Sequence, residues 1–204
     1  GGDVKKATNG LGEEFETLNL GVKPYPSCRY SHAAIDGLIE LKKELKFSSD
    51  DLDDIDIGLS ETALNIIGYP LTDKQHPKSV VDGQFSMPFC AAVTVKSGGL
   101  QWDDYKNHLN NKDTLSLCNK IKVSPDEDAE KCCPEYMSAK VKVVVKGEKY
   151  EKFVKIPKGE PENFMEDVEF ISKFKGLTEP YLSKQRVDQL TDLMLKIDQA
   201  NNVN

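Results

Sequence analysis

Two alternating runs, Ala139-Lys140-Val141-Lys142-Val143-Val144-Val145 and Tyr150-Glu151-Lys152-Phe153-Val154-Lys155-Ile156, flank Lys146-Gly147-Glu148, and this arrangement constrains the fold more than any other feature. Period-two alternation puts apolar side chains on one face of an extended strand. A short glycine-bearing connection between two such runs is a hairpin signature. Ile55-Asp56-Ile57-Gly58-Leu59 alternates in the same way, and Ile121 to Val123 starts a further strand. The remaining apolar residues follow helical spacing. Ile35, Leu38, Ile39 and Leu41 make one stripe. Ser79 through Lys96 reads as a second helix that stops at Gly98-Gly99, with Pro88 predicting a kink or a broken first turn. Short helices are expected over Trp102 to Leu109 and Thr114 to Leu117, and a longer one near Met165 to Phe174. The last, Lys184 to Gln199, has Val187, Leu190, Leu193, Met194 and Ile197 as its buried stripe. Gly68-Tyr69-Pro70 and His76-Pro77 bracket a loop, and Pro125-Asp126-Glu127-Asp128-Ala129-Glu130 reads as an acidic loop. This order, with no βαβ period, predicts an α+β fold: an antiparallel sheet with helices packed on one face.

The 204 residues suffice for one core, and a formal charge of −7 argues against nucleic acid as a partner. The same charge repels an anionic ligand at long range, so an anion would have to be held by a local cluster of cations. No apolar run approaches a membrane span. The five cysteines, Cys28, Cys90, Cys118, Cys132 and Cys133, have no framework or metal-ligand spacing. Free thiols in an intracellular protein, cytoplasmic or mitochondrial, with no metal and no cofactor, are the expectation.

The densest chemistry lies in Val22-Lys23-Pro24-Tyr25-Pro26-Ser27-Cys28-Arg29-Tyr30-Ser31-His32-Ala33-Ala34-Ile35-Asp36. Pro24 and Pro26 hold the entry extended, and the pattern turns helical from Ser31 or His32. A helix N-terminus presents unpaired N–H groups, and Lys23 and Arg29 beside it would make a seat for a carboxylate. The alternative is a proline-stiffened surface turn with solvated cations.

The run from Lys23 to Asp36 resembles the hallmark segment of the MmgE/PrpD family, which includes 2-methylcitrate dehydratase, cis-aconitate decarboxylase and iminodisuccinate epimerase. Three further stretches resemble that family in the same order: Asn9-Gly10-Leu11-Gly12-Glu13-Glu14-Phe15; Lys78 through Phe89 with Asp82-Gly83-Gln84-Phe85-Ser86; and Pro157-Lys158-Gly159-Glu160-Pro161-Glu162-Asn163 followed by Lys173-Phe174. The resemblance implies a small α+β domain over 21–160, a linker or docking arm over 1–20, and C-terminal helices over 161–204. In the family those helices dock on an all-helical N-terminal domain that this chain lacks.

It further implies a cofactor-independent lyase acting on a citrate-like tricarboxylic acid, by 2-methylcitrate dehydration or cis-aconitate decarboxylation. This chain alone is then expected to turn over little, because most acid–base histidines of the family lie on the helical domain. Catalytic roles fall to Lys23, which would hold a carboxylate or assist proton transfer, and to His32, which would be kept neutral by the helix dipole. Arg29 either clamps a second carboxylate or pairs with a helix-end acid. Cys28, where the animal decarboxylase has histidine, and Ser86 are the further substrate-binding expectations, each with packing as its alternative. His76 and His108 are expected at the surface or in structural roles. Two rival functions stay open: a non-catalytic or split-protein module that binds a helical partner, and an epimerase of an amino-dicarboxylate. A homodimer of the full-length protein is a further expectation.

Overall fold

The structure is a computed structural model that describes residues 2–199. Residue 1 and residues 200–204, which the expected 1–20 arm and 161–204 segment include, lie outside the described residues. Two 3-10 turns, Val4–Thr8 and Glu16–Asn19, lead in, with Leu11, Phe15, Leu18 and Leu20 exposed. Then come α1 (His32–Leu45), β1 (Leu52–Leu59), the short α2 (Glu61–Ala63) running into a π-turn, and α3 (Leu71–Gln75). These are followed by α4 (Val80–Gln84), α5 (Met87–Ser97), α6 (Asp104–His108), α7 (Lys112–Cys118) and β2 (Ile121–Pro125). The chain continues through α8 (Glu127–Cys132), β3 (Ala139–Val145), β4 (Glu148–Val154), α9 (Asp167–Thr178) and α10 (Lys184–Met194).

The fold is α+β. Its four-stranded sheet has the order β2-β1-β3-β4. β3 and β4 form the expected hairpin, in full register from Ala139 opposite Val154 to Val145 opposite Glu148. Lys146 and Gly147 both turn through positive φ, 51° and 82°, the conformation a two-residue hairpin turn needs. β1 pairs antiparallel with β3 and parallel with β2, Ile55 lying opposite Ile121. The sheet is therefore mostly antiparallel with one parallel pair. Parallel neighbours need a crossover, and here it is the whole of residues 60–120, broken into short helices that show no βαβ period.

One face of the sheet is apolar, with Ile55, Ile57, Val141 and Val143 all buried, and α1 and α5 pack on it. Every residue of α5 from Met87 to Val95 is buried, as a helix that is apolar on all sides should be. The opposite face carries ion pairs, Lys122 with Asp54 at 2.9 Å and Lys142 with Asp56 at 3.8 Å. No helix among the described residues is long and apolar enough to cross a membrane.

Four sequence expectations need correction. The helix expected over Ser79 to Lys96 is two helices, α4 and α5. Ser86 caps α5 by accepting from Phe89 N at 3.0 Å, and Pro88 sits in the first turn, where its missing N–H costs nothing. The loop bracketed by Tyr69 and His76 contains α3. The acidic run at 125–130 is the start of α8: the Asp126 carboxylate caps Asp128 N at 3.0 Å and Ala129 N at 3.1 Å, and the following acids favour the positive helix end. Finally, the α10 stripe is buried only at its start. Val187 is 1% exposed, but Leu193 is 63%, Met194 56% and Ile197 50% exposed.

Candidate functional site

The site is built on the proline-stiffened lead-in to α1. Its shape is held from the α4 end, where Gln84 engages it twice: Cys28 N donates to Gln84 O at 2.9 Å and Gln84 Nε2 donates to Pro26 O at 3.1 Å. Tyr105 Oη donates to the same Pro26 carbonyl at 2.9 Å. Tyr25 Oη reaches back to Asp36 Oδ1 at 2.6 Å, and Lys158 N donates to Asp36 Oδ2 at 2.7 Å. Burial raises the Asp36 carboxyl, with these two donors pulling the other way. The lead-in, α1 and the loop before α9 are thereby tied into one body.

A cleft of about 390 Å³ opens along this segment. Lys23, Tyr25, Ser27 and Cys28 form one side, Gln84 and Phe85 another, and Gln101, Trp102, Lys173 and Leu177 complete it. Lys173 arrives from α9 and donates to Lys23 O at 2.8 Å, while Lys23 Nζ donates to Ser27 O at 3.3 Å. Neither lysine makes an ion pair among the described residues. The cations beside the cleft are paired: Arg29 with Glu160, and Lys158 with Glu169 at 3.3 Å. The cleft thus has local positive charge in an acidic chain. A second and larger groove, near the ends of β1 and β2, is lined by Glu61, Asp126, Glu127 and Glu130 and would repel carboxylates.

Of the residues singled out from sequence, Lys23 and Cys28 line the cleft. Arg29, His32 and Ser86 do not. Arg29 Nη2 and Nε lie 2.5 and 2.8 Å from Glu160 Oε1, and Nη1 donates to Lys158 O at 3.1 Å. Arg29 is paired with an acid, but with Glu160 of the loop before α9 rather than with a helix-end acid. His32 is fully buried behind the lead-in. Arg29 Nη1 donates to its Nδ1 at 3.0 Å, so the ring proton sits on Nε2, facing Ser27 O at 3.4 Å. Burial first, then the charges of Arg29, Lys23 and Lys173, push its pKa down to about 3. The imidazole is neutral as expected, although burial rather than the helix dipole is the main cause. Ser86 is buried, capping α5 and donating to Lys74 O. His76 is exposed, and His108 bonds Thr114 Oγ1 at 2.8 Å, a structural role. Sequence reasoning missed Lys173, Gln84 and Trp102 as cleft residues. The first two stand in motif stretches, which was the only signal for them.

The family model of the MmgE/PrpD C-terminal domain matches residues 25–198. Lys23 and Pro24 stand just outside that match, and the other residues that line the cleft lie within it. The chain is 24% identical over 208 residues to the cis-aconitate decarboxylase-like protein oryM of Aspergillus oryzae. That match takes in 98% of this chain and 42% of the relative, so the chain spans less than half of that protein's length. With the family model covering most of the fold and all but two of the residues that line the cleft, the chain belongs to the MmgE/PrpD C-terminal domain family.

Proposed function

We propose that this chain is the C-terminal domain of a cofactor-independent lyase acting on a citrate-like tricarboxylic acid, by 2-methylcitrate dehydration or cis-aconitate decarboxylation. The observation that carries the reading is Lys23 in a cleft built on the family's hallmark segment, its ammonium without a carboxylate among the described residues. Lys23 would hold a substrate carboxylate and offset the negative charge that develops beside it as a proton or carbon dioxide leaves. Cys28 would line the substrate. Arg29 and neutral His32 would act from behind, holding the lead-in in place. Ser86 would fix the junction of α4 and α5. The cysteines, all unpaired, support an intracellular setting, cytoplasmic or mitochondrial.

The chain would need a helical domain, in the same protein or in a separate chain, to complete the acid–base set. The exposed Leu193, Met194 and Ile197 on and after α10 support such docking, and they equally suit a non-catalytic module that binds a helical partner. Epimerisation of an amino-dicarboxylate would use the same carboxylate seat, and the full-length protein is a candidate homodimer. The deciding experiment is turnover of each tricarboxylate by the complete protein and its Lys23→Ala variant. The lyase reading expects a loss of about a hundredfold or more, whereas wild-type rates would remove Lys23 from the mechanism.

A further inference from the structure

We infer that Lys173, delivered by α9, is a second carboxylate-binding residue of the cleft, and that the Lys23–Lys173 pair makes the site selective for polycarboxylates over monocarboxylates. The inference rests on the reading above for its substrate class, and deepens it by naming the residue that sets the number of carboxylates bound.

The argument starts from charge. The chain has 34 acidic residues against 27 basic ones, and carboxylates stand beside the cleft, where Glu160 takes Arg29 and Glu169 takes Lys158. Lys23 and Lys173 share one cleft without such a partner among the described residues. Each makes one hydrogen bond to a main-chain carbonyl, to Ser27 O and Lys23 O, out of the three donors an ammonium has. Two like charges in one cleft repel, and a carboxylate on each removes the repulsion while filling the vacant donors. One carboxylate can balance only one of them. The two lysines lie 150 residues apart and on separate elements, so the pairing exists only in the folded chain.

Trp102, the single tryptophan of these 204 residues, lines the same cleft and would report on its occupancy. The test is a fluorescence titration of the complete protein with tricarballylate, an unreactive tricarboxylate, and with acetate, for wild type, Lys173→Met and Lys173→Arg. Both substitutions keep good helix propensity at a half-buried position of α9, so folding is preserved. The expected result is saturable binding of tricarballylate at concentrations where acetate does nothing. Affinity should fall about tenfold or more in Lys173→Met and by less than about threefold in Lys173→Arg. Unchanged affinity in Lys173→Met, equal response to acetate, or no saturation by wild type would overturn the inference. Turnover measured in parallel separates the two readings. Binding through Lys173 without turnover of any tricarboxylate removes the lyase and leaves this inference standing. Turnover with unchanged kcat/KM in Lys173→Met removes this inference and leaves the lyase.

Discussion

Arg29 and Glu160, 131 residues apart in the chain, meet through a single carboxylate oxygen: Oε1 of Glu160 accepts from both Nη2 and Nε of Arg29. The pair closes the loop before α9 onto the start of α1, and both side chains are mostly withdrawn from solvent. Glu160→Gln keeps the shape and removes the charge, leaving a half-buried guanidinium with a weaker partner. The expected cost is about 1–2 kcal/mol, read as a lowered midpoint in urea unfolding with an unchanged slope. An unaltered midpoint would show that solvent already screens the pair.

Gly159 is held at φ +89°, and its carbonyl accepts from Val22 N at 2.7 Å, one residue before Lys23. A Cβ there would run into the Val22 carbonyl oxygen. Gly147 has a similar φ of 82° but open space around it. Gly147→Ala should therefore cost only the backbone strain, about 1–2 kcal/mol. Gly159→Ala should cost more than that and also weaken tricarballylate binding, because the Val22–Lys23 segment must move. Equal costs in thermal unfolding would place the constraint in φ alone.

His32 carries a pH signature. Its pKa is pushed from the ordinary 6.5 down to about 3 in the folded chain, so between those values the unfolded chain binds a proton the folded one refuses. The corresponding stability is fully present above 6.5 and is lost as pH falls towards about 3. Asp36, raised by burial, works in the opposite sense: above 3.8 the folded chain keeps a proton the unfolded one has released, so its contribution is lost as pH rises. The variant His32→Asn removes the first effect only. Its Tm should lie below wild type near neutral pH, and should fall less steeply than wild type between about pH 6.5 and 4. Parallel slopes would mean that another group sets the acid limit.

How much of this was legible in sequence depended on the range of the forces involved. Ile35, Leu38 and Leu41 share a face because 3.6 residues make a turn, and Val141 and Val143 share one because two make a pleat. Both sets are buried as read. Lys146-Gly147 specified its own turn. The difference at Pro125 to Glu130 is also local: the acids are exposed, but the run is a helix start and not a loop, with Asp126 as the cap.

Lys23 and Cys28 reach the cleft from either end of Pro24 to Ser27, which the structure bends where an extended entry is expected, so that Lys23 Nζ returns to Ser27 O. Arg29, His32 and Ser86 stand near them in the motif stretches, yet face away, and nothing local announces that. The period of α10 placed Leu193, Met194 and Ile197 in a buried stripe, yet all three are exposed, because periodicity says which residues share a face and not what lies opposite it.

The amino-acid sequence by itself determined the hairpin, the start of α1 and the family motifs, since each follows from backbone preferences and spacing within a few residues. Only the tertiary structure decided that β1 pairs parallel with β2, that Glu160 takes Arg29, that His32 is buried and neutral, and that Lys173 stands in the cleft with Lys23. Those outcomes depend on Coulomb and desolvation energies between groups brought together from distant parts of the chain, and such distances exist only once the core has closed.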